Sequence, residues 1–199
     1  QSLFSLTADI ITELKAILDE FKPDYVYVHG DTSTSTIAGL AAFYAGAKVC
    51  HVEAGLRTHN KWSPFPEEMN RQLTGRLADY HFAPTQQSFD NLIKENIKPE
   101  NIVITGNTVI DALLESSEKV ETINNDEIEY LKTIVDSSKK LILVTGHRRE
   151  NHGQGFINIC EALKEIASAH KDVQIIYPVH LNPNVQKPVH EILSDIDNV

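Results

Sequence analysis

Tyr25-Val26-Tyr27-Val28-His29-Gly30-Asp31-Thr32 is the stretch on which the fold turns. A short run of strand-favouring residues passes directly into polar ones. A second apolar run over 47–52 ends the same way, in Glu53-Ala54-Gly55-Leu56-Arg57-Thr58. Pro64-Phe65-Pro66-Glu67-Glu68-Met69-Asn70-Arg71 follows shortly after. Acidic residues therefore stand at two strand ends and at a helix start. In an open parallel sheet those positions line the crevice at the carboxyl edge. Carboxylates gathered there suit acid/base chemistry on a bound small molecule.

The elements around these stretches fit a parallel sheet. Leu6, Ile10, Leu14 and Leu18 recur every fourth residue and predict an amphipathic helix over 3–21. Strand 25–28 is followed by a helix of small residues over 32–45, closed by Gly46. Strand 47–52, a loop over 55–66 and a helix over 67–80 come next, with Pro66 just ahead of that helix. A short strand over 81–84 leads to Thr85 as an N-cap, a helix over 86–96 and a strand over 102–105. Strands alternating with helices of roughly 10–15 residues indicate crossover connections.

Residues 1–111 read as most of one Rossmann-like domain. Residues 112–140 are polar and acidic and read as a connecting helix, a linker and a short helix. Residues 141–199 read as the first part of a second α/β domain, with strands over 141–145 and 173–177 and a helix over 155–170. The start, Gln1-Ser2-Leu3-Phe4, has no initiator Met and no signal-peptide pattern, so the chain reads as a fragment of a longer protein.

Composition narrows the classes. A net charge of −10 argues against nucleic acid as a main partner, because phosphate binding needs a basic face. No apolar run approaches the roughly 20 residues of a membrane span. Cys50 and Cys160 lie in apolar stretches and read as small buried hydrophobes of a reducing, cytoplasmic protein. No metal-ligand spacing is present. The five arginines, Arg57, Arg71, Arg76, Arg148 and Arg149, all fall in or beside the polar motifs. Arginine's planar fork suits phosphate and carboxylate.

Each motif also has a plain structural account. Asp31 or Thr32 can cap a helix. Glu53 and Arg57 can pair with each other. Glu67 and Glu68 suit a helix N-terminus. That account explains less well why Glu67, Asn70, Arg71 and Thr74 share one helix face. Gly146-His147-Arg148-Arg149-Glu150-Asn151 is the strongest local signal. There a histidine able to change charge near neutral pH stands beside two arginines able to hold a diphosphate. Pro178-Val179-His180 places a second histidine at a strand end, where a structural role is as well founded as a functional one.

With these motifs in order, the chain resembles the non-hydrolysing UDP-N-acetylglucosamine 2-epimerases. The segments HGDT, HVEAGLRT, SPFPEEMNRQLTG, GNTVIDAL, TGHRREN and YPVHLNPNV carry the resemblance, which covers essentially all 199 residues. It implies a GT-B-like α/β fold, with two Rossmann-like doubly wound parallel-sheet domains facing a cleft and the second incomplete here. It implies epimerisation at C2 of UDP-N-acetylglucosamine to UDP-N-acetylmannosamine, through elimination and re-addition of UDP, for bacterial surface polysaccharide synthesis. Catalytic positions carried over are Asp31, Glu53, Glu67 and His147. Asn70, Arg71, Arg148 and Arg149 are candidate substrate-binding residues. Arg148 and His180 match a region that contacts a second UDP-N-acetylglucosamine acting as allosteric activator. The resemblance further implies a cytoplasmic homodimer with no cofactor, no metal, no membrane and no nucleic acid, and a fragment inactive by itself. A GT-B glycosyltransferase and a non-catalytic nucleotide-sugar sensor are the alternatives the residues leave open.

Overall fold

The computed structural model describes residues 2–146 and 153–199. The chain divides into two compact units, residues 1–119 and 120–199.

The first unit opens with α1 (Leu3–Phe21), capped by Ser2 and Ser5 in a reciprocal capping box. β1 (Tyr25–His29), β2 (Lys48–Val52), β3 (Tyr80–Ala83) and β4 (Ile102–Ile104) form one sheet in chain order. Every pairing is parallel, with His29 opposite Val52, Val52 opposite Phe82, and Ala83 opposite Ile104. The strands therefore all release their chains at the same edge, as the sequence predicts.

Three helices make the crossovers: α2 (Ser33–Tyr44), α3 (Glu67–Leu77) and α4 (Gln86–Lys94). Side chains alternate across the sheet. Val28 and Val49 pack with Ala42 and Ala47 on one face, while Ala83 and Ile102 pack with Leu92 of α4. The crossover helices thus share a face, as right-handed connections stepping one way along a sheet require. Tyr25, Tyr27, Tyr80 and Phe82 lie on the other face as two ring pairs, Tyr25 with Tyr80 and Tyr27 with Phe82.

α2 can approach the sheet because its residues are small. A Cβ built on Gly39 would stand 3.7 Å from Val49 and 4.0 Å from Leu77, so there is little room for anything larger. Between α2 and α3 the contact is polar. The buried hydroxyls of Thr36 and Thr74 meet at 3.0 Å. The run of hydroxyl residues at the start of α2 is a weak helix former by itself, and this packing gives it a role.

The second unit holds the C-terminal end of α5 (Thr108–Thr122), which spans the division between units, and α6 (Asp126–Ile134). A parallel pair follows, β5 (Lys140–Leu143) and β6 (Val173–Ile176), with α7 (Gln154–Ala169) between them. α8 (Pro183–Leu193) comes last and contains Pro188. Phe156, Cys160, Leu163, Val173, Ile175, Val185, Val189 and Leu193 make its core. Fully burying a side chain such as Phe156 or Ile175 contributes about 1.5–3 kcal/mol. The sequence reading names no helix over 183–193.

Both cysteines are buried and reduced, as expected of small hydrophobes. No helix among the described residues is long and apolar enough to cross a membrane.

Candidate functional site

The site is built on the turn after β1. Gly30 has φ +71°, a left-handed conformation that glycine adopts without strain. A Cβ there would also stand 3.2 Å from the Glu53 carboxylate, which would have to give way slightly, so it is the φ that calls for glycine. Thr32, and not Asp31, caps α2: its side chain accepts from the Ser35 N–H at 3.2 Å. Asp31 is therefore free of capping duty.

Three successive carbonyls in this turn are each held by a side chain from a different place. Ser35 Oγ donates to His29 O at 2.5 Å. His51 Nε2 meets Gly30 O at 2.8 Å. Asn70 Nδ2 donates to Asp31 O at 2.8 Å. The Asp31 carboxylate is held as well. Arg71 Nε and Nη2 both reach its Oδ2, at 2.8 and 2.7 Å.

Arg71 is steadied in turn by Glu68, whose Oε2 lies 3.3 Å from its Nη1. Glu68 is fully buried. It accepts from the Thr58 N–H at 2.9 Å, the His59 N–H at 3.2 Å and Gln72 Nε2 at 3.1 Å. Burial alone would push its carboxyl up. The bonds from Thr58, Gln72, His59 and Arg71 outweigh that and hold it below the ordinary value. Glu68 thus ties the loop after β2 to α3 and supports the arginine that holds Asp31.

Glu67, its neighbour, differs. It is half-buried and has no hydrogen-bond or ion-pair partner among the described residues. Helical geometry sets it on the face of Asn70, Arg71 and Thr74.

Glu53 adopts φ +66°, an uncommon conformation for a residue with a side chain. Such strain persists only where surrounding structure holds it, and functional sites are where it concentrates. Its Oε2 lies 3.7 Å from His29 Nε2. Glu53 does not pair with Arg57. The Arg57 fork, almost wholly buried, grips Glu95 instead, Nε to Oε1 at 2.7 Å and Nη2 to Oε2 at 2.8 Å.

Behind the turn, His51 and His81 sit opposite each other on β2 and β3, each about 1% exposed. Burial lowers both to about 4. The bond to the Gly30 carbonyl opposes the shift, as does Asp31, while the Arg57 charge and the neighbouring His29 add to it. For His81, the neighbouring His51 and Arg57 add to burial, against Ala78 and Asp79. Both imidazoles are therefore neutral at pH 7.

Of the sequence-predicted residues, Asp31, Asn70 and Arg71 are in direct contact. Glu53 follows the last residue of β2 and Glu67 is the first residue of α3, both at the carboxyl edge of the sheet. His147, Arg148 and Arg149 lie outside the described residues. Gly146, just before them, has its carbonyl held by the Tyr177 hydroxyl at 2.6 Å. His180 is exposed in the second unit, where its Nδ1 accepts from the Asn182 N–H at 3.1 Å. Sequence reasoning gives Ser35 and His51 no role at the site, and reads Glu68 only together with Glu67, as an acid at a helix start. Ser35 and His51 are ordinary residues of a helix start and a strand. Glu68 is indistinguishable from Glu67 until the tertiary contacts are known.

Residues 1–199 match the UDP-N-acetylglucosamine 2-epimerase family over their full extent. The UDP-N-acetylglucosamine 2-epimerase of Salmonella typhimurium is 56% identical over 201 residues, covering 100% of this chain and 54% of that protein. The one of Campylobacter jejuni is 53% identical, covering 100% and 53%. Among solved structures, the Neisseria meningitidis UDP-GlcNAc 2-epimerase bound to UDP-GlcNAc superposes with a TM-score of 0.95 at 48% identity, over 100% of this chain and 54% of that one. A Listeria monocytogenes putative UDP-N-acetylglucosamine 2-epimerase gives 0.88 at 44%, over 100% and 50%. The chain spans about half the length of the relatives it matches. These structures are GT-B-like, the fold class the sequence implies.

Proposed function

The chain belongs to the UDP-N-acetylglucosamine 2-epimerase family, and from that premise we propose that it serves the reversible epimerisation of UDP-N-acetylglucosamine to UDP-N-acetylmannosamine. The observation that carries the proposal within this chain is the held Asp31. Its turn is fixed at three carbonyls and its carboxylate is braced by Arg71, with the strained Glu53 at the adjoining strand end. A carboxylate fixed this firmly at a sheet's carboxyl edge is pre-organised for a reacting atom. The Neisseria relative, bound to UDP-GlcNAc, supports the substrate.

The chemistry follows from the sugar. C2 is not α to a carbonyl, so its deprotonation alone leaves an unstabilised carbanion. Breaking the anomeric C–O bond sends the electron pair out with UDP and builds oxocarbenium character at C1. A base then takes the C2 proton, and the C–H pair forms the C1–C2 double bond of a glycal. Return of UDP to C1 and of a proton to the opposite face of C2 gives the epimer. Two faces of C2 exchange protons, which calls for two acid/base groups or one mobile one. Asp31, Glu53 and Glu67 supply that set, and neighbouring carboxylates titrate as a group.

Asn70 and Arg71 bind beside them. His147, Arg148 and Arg149 stabilise the departing diphosphate by charge-assisted hydrogen bonds. Arg148 and His180 receive a second UDP-N-acetylglucosamine as activator. The enzyme is a cytoplasmic homodimer that supplies surface polysaccharide synthesis. Turnover of the full-length protein in D2O tests the core of this reading: deuterium enters C2. A product without deuterium at C2, or turnover only when a sugar acceptor is added, overturns it, the latter in favour of a glycosyltransferase.

A further inference from the structure

His51 is buried, polar and two residues ahead of Glu53, yet the proposed chemistry makes no use of it. Its one polar contact among the described residues is Gly30 O, at 2.8 Å. A carbonyl only accepts, so Nε2 must carry the proton and Nδ1 is the bare nitrogen. That nitrogen is buried and has no hydrogen-bond partner among the described residues. An unsatisfied buried acceptor is unfavourable, so the imidazole is held here by what Nε2 does.

What Nε2 does is fix one peptide plane. The Gly30 N–H already donates to Val52 O at 3.0 Å, which ties the near side of Gly30 to β2. Among the described residues, the peptide between Gly30 and Asp31 has no backbone partner for its carbonyl. Glycine permits both signs of φ and so lets that plane turn over. The Asn70 bond to Asp31 O holds only the next peptide. With the His51 bond in place, the planes on both sides of Asp31 are held, one from β2 and one from α3.

We propose that His51 is a positioning residue: its Nε2–H grips the Gly30 carbonyl and so sets Asp31 in register with Glu53, which β2 itself delivers. This rests on the epimerase reading above. Burial keeps the imidazole neutral well below pH 7, so the proton on Nε2 is the one it has to give to the carbonyl.

The test uses the full-length enzyme and the variants His51→Leu and His51→Gln. Leu fills the space without a donor; the Gln amide can reach the carbonyl. The expected result is a kcat about 10–100-fold lower for His51→Leu, the scale on which a misplaced group costs rate. KM stays within about twofold, and His51→Gln recovers most of kcat. A folded His51→Leu enzyme with wild-type kcat overturns the proposal, as does a folded His51→Gln enzyme no better than His51→Leu. Should His51→Leu not fold, nitrogen chemical shifts of the wild-type imidazole decide: protonated Nε2 with bare Nδ1 supports the grip, and the opposite tautomer overturns it. A wild-type enzyme that fails to epimerise overturns the functional reading itself and this role with it. An active wild type with an indifferent His51 overturns only the role.

Discussion

Acid destabilises the first unit through its two buried histidines, and the size of the effect can be worked out. In the unfolded chain an imidazole titrates near 6.5. In the folded chain burial holds His51 and His81 at about 4. Between those values the unfolded chain binds more protons, so stability rises with pH across the window and falls as pH drops. The contribution is fully present above about pH 6.5 and gone below about pH 4. The step from about 6.5 to about 4 corresponds to about 3 kcal/mol per histidine over the whole window. At pH 5 about 2 kcal/mol per histidine is already lost. The two rings are neighbours and titrate as a pair, so about 4 kcal/mol at pH 5 is an upper bound. Against a total stability of roughly 5–15 kcal/mol, that is a large fraction. Trp62, the one tryptophan, lies in the loop that Glu68 anchors and reports on this unit. Urea titrations followed by its fluorescence at pH 7 and pH 5 give the slope. Replacing His81 by Gln should remove about 2 kcal/mol of the loss between those pH values. Imidazole proton shifts that titrate near 6.5 in the folded chain, or a His81→Gln chain with an unchanged pH slope, refute the reasoning.

Five substitutions test the rest. Glu68→Ala leaves Arg71 and the Thr58 and His59 N–H groups without their buried acceptor and should cost about 3–5 kcal/mol in denaturant titration. Gly55 has φ +87°, and a Cβ there would stand 2.2 Å from the Ser88 carbonyl oxygen. Gly55→Ala should therefore lower Tm far more than Gly46→Ala, where φ is +80° but nothing lies within 4 Å and only the roughly 1–2 kcal/mol conformational cost applies. Arg57→Lys replaces a two-point grip on Glu95 with a point charge, and a clear drop in Tm is expected where an exposed pair such as Lys132–Glu129 would give almost none. Asp31→Asn in the full-length enzyme should reduce deuterium entry at C2 by about 10²–10⁴-fold, with circular dichroism unchanged.

Much of the scaffold was legible before any coordinates. The helix over 3–21 appears with the expected bounds because its apolar stripe and its terminal proline are local signals. Thr85 caps α4 as read, through a bond to the Ser88 N–H. Strand ends differ by a residue or so, since the last residue of a strand depends on its neighbour's register. The site was legible as a set of residue types and positions, not as contacts. Glu53 and Arg57, four apart, invited a pairing that the fold does not make. The chain leaves β2 at Glu53 in a left-handed turn, and Arg57 is carried to Glu95 of the residue just after α4.

Sequence by itself determined the parallel α/β plan, the family, and the fact that acids stand where strands and helices meet. Those follow from period, punctuation and motif order, which are properties of neighbours along the chain. Only the tertiary structure decided what each acid does. It buried Glu68 as an anchor and gave Glu67 no partner among the described residues, although the two are adjacent and identical. It gave Asp31 to Arg71 and the capping bond to Thr32, and it turned a strand histidine toward the Gly30 carbonyl. The bonds that hold the Asp31 turn join residues 21 to 40 positions apart, brought close by α2, α3 and the strand register, and no local pattern encodes that proximity.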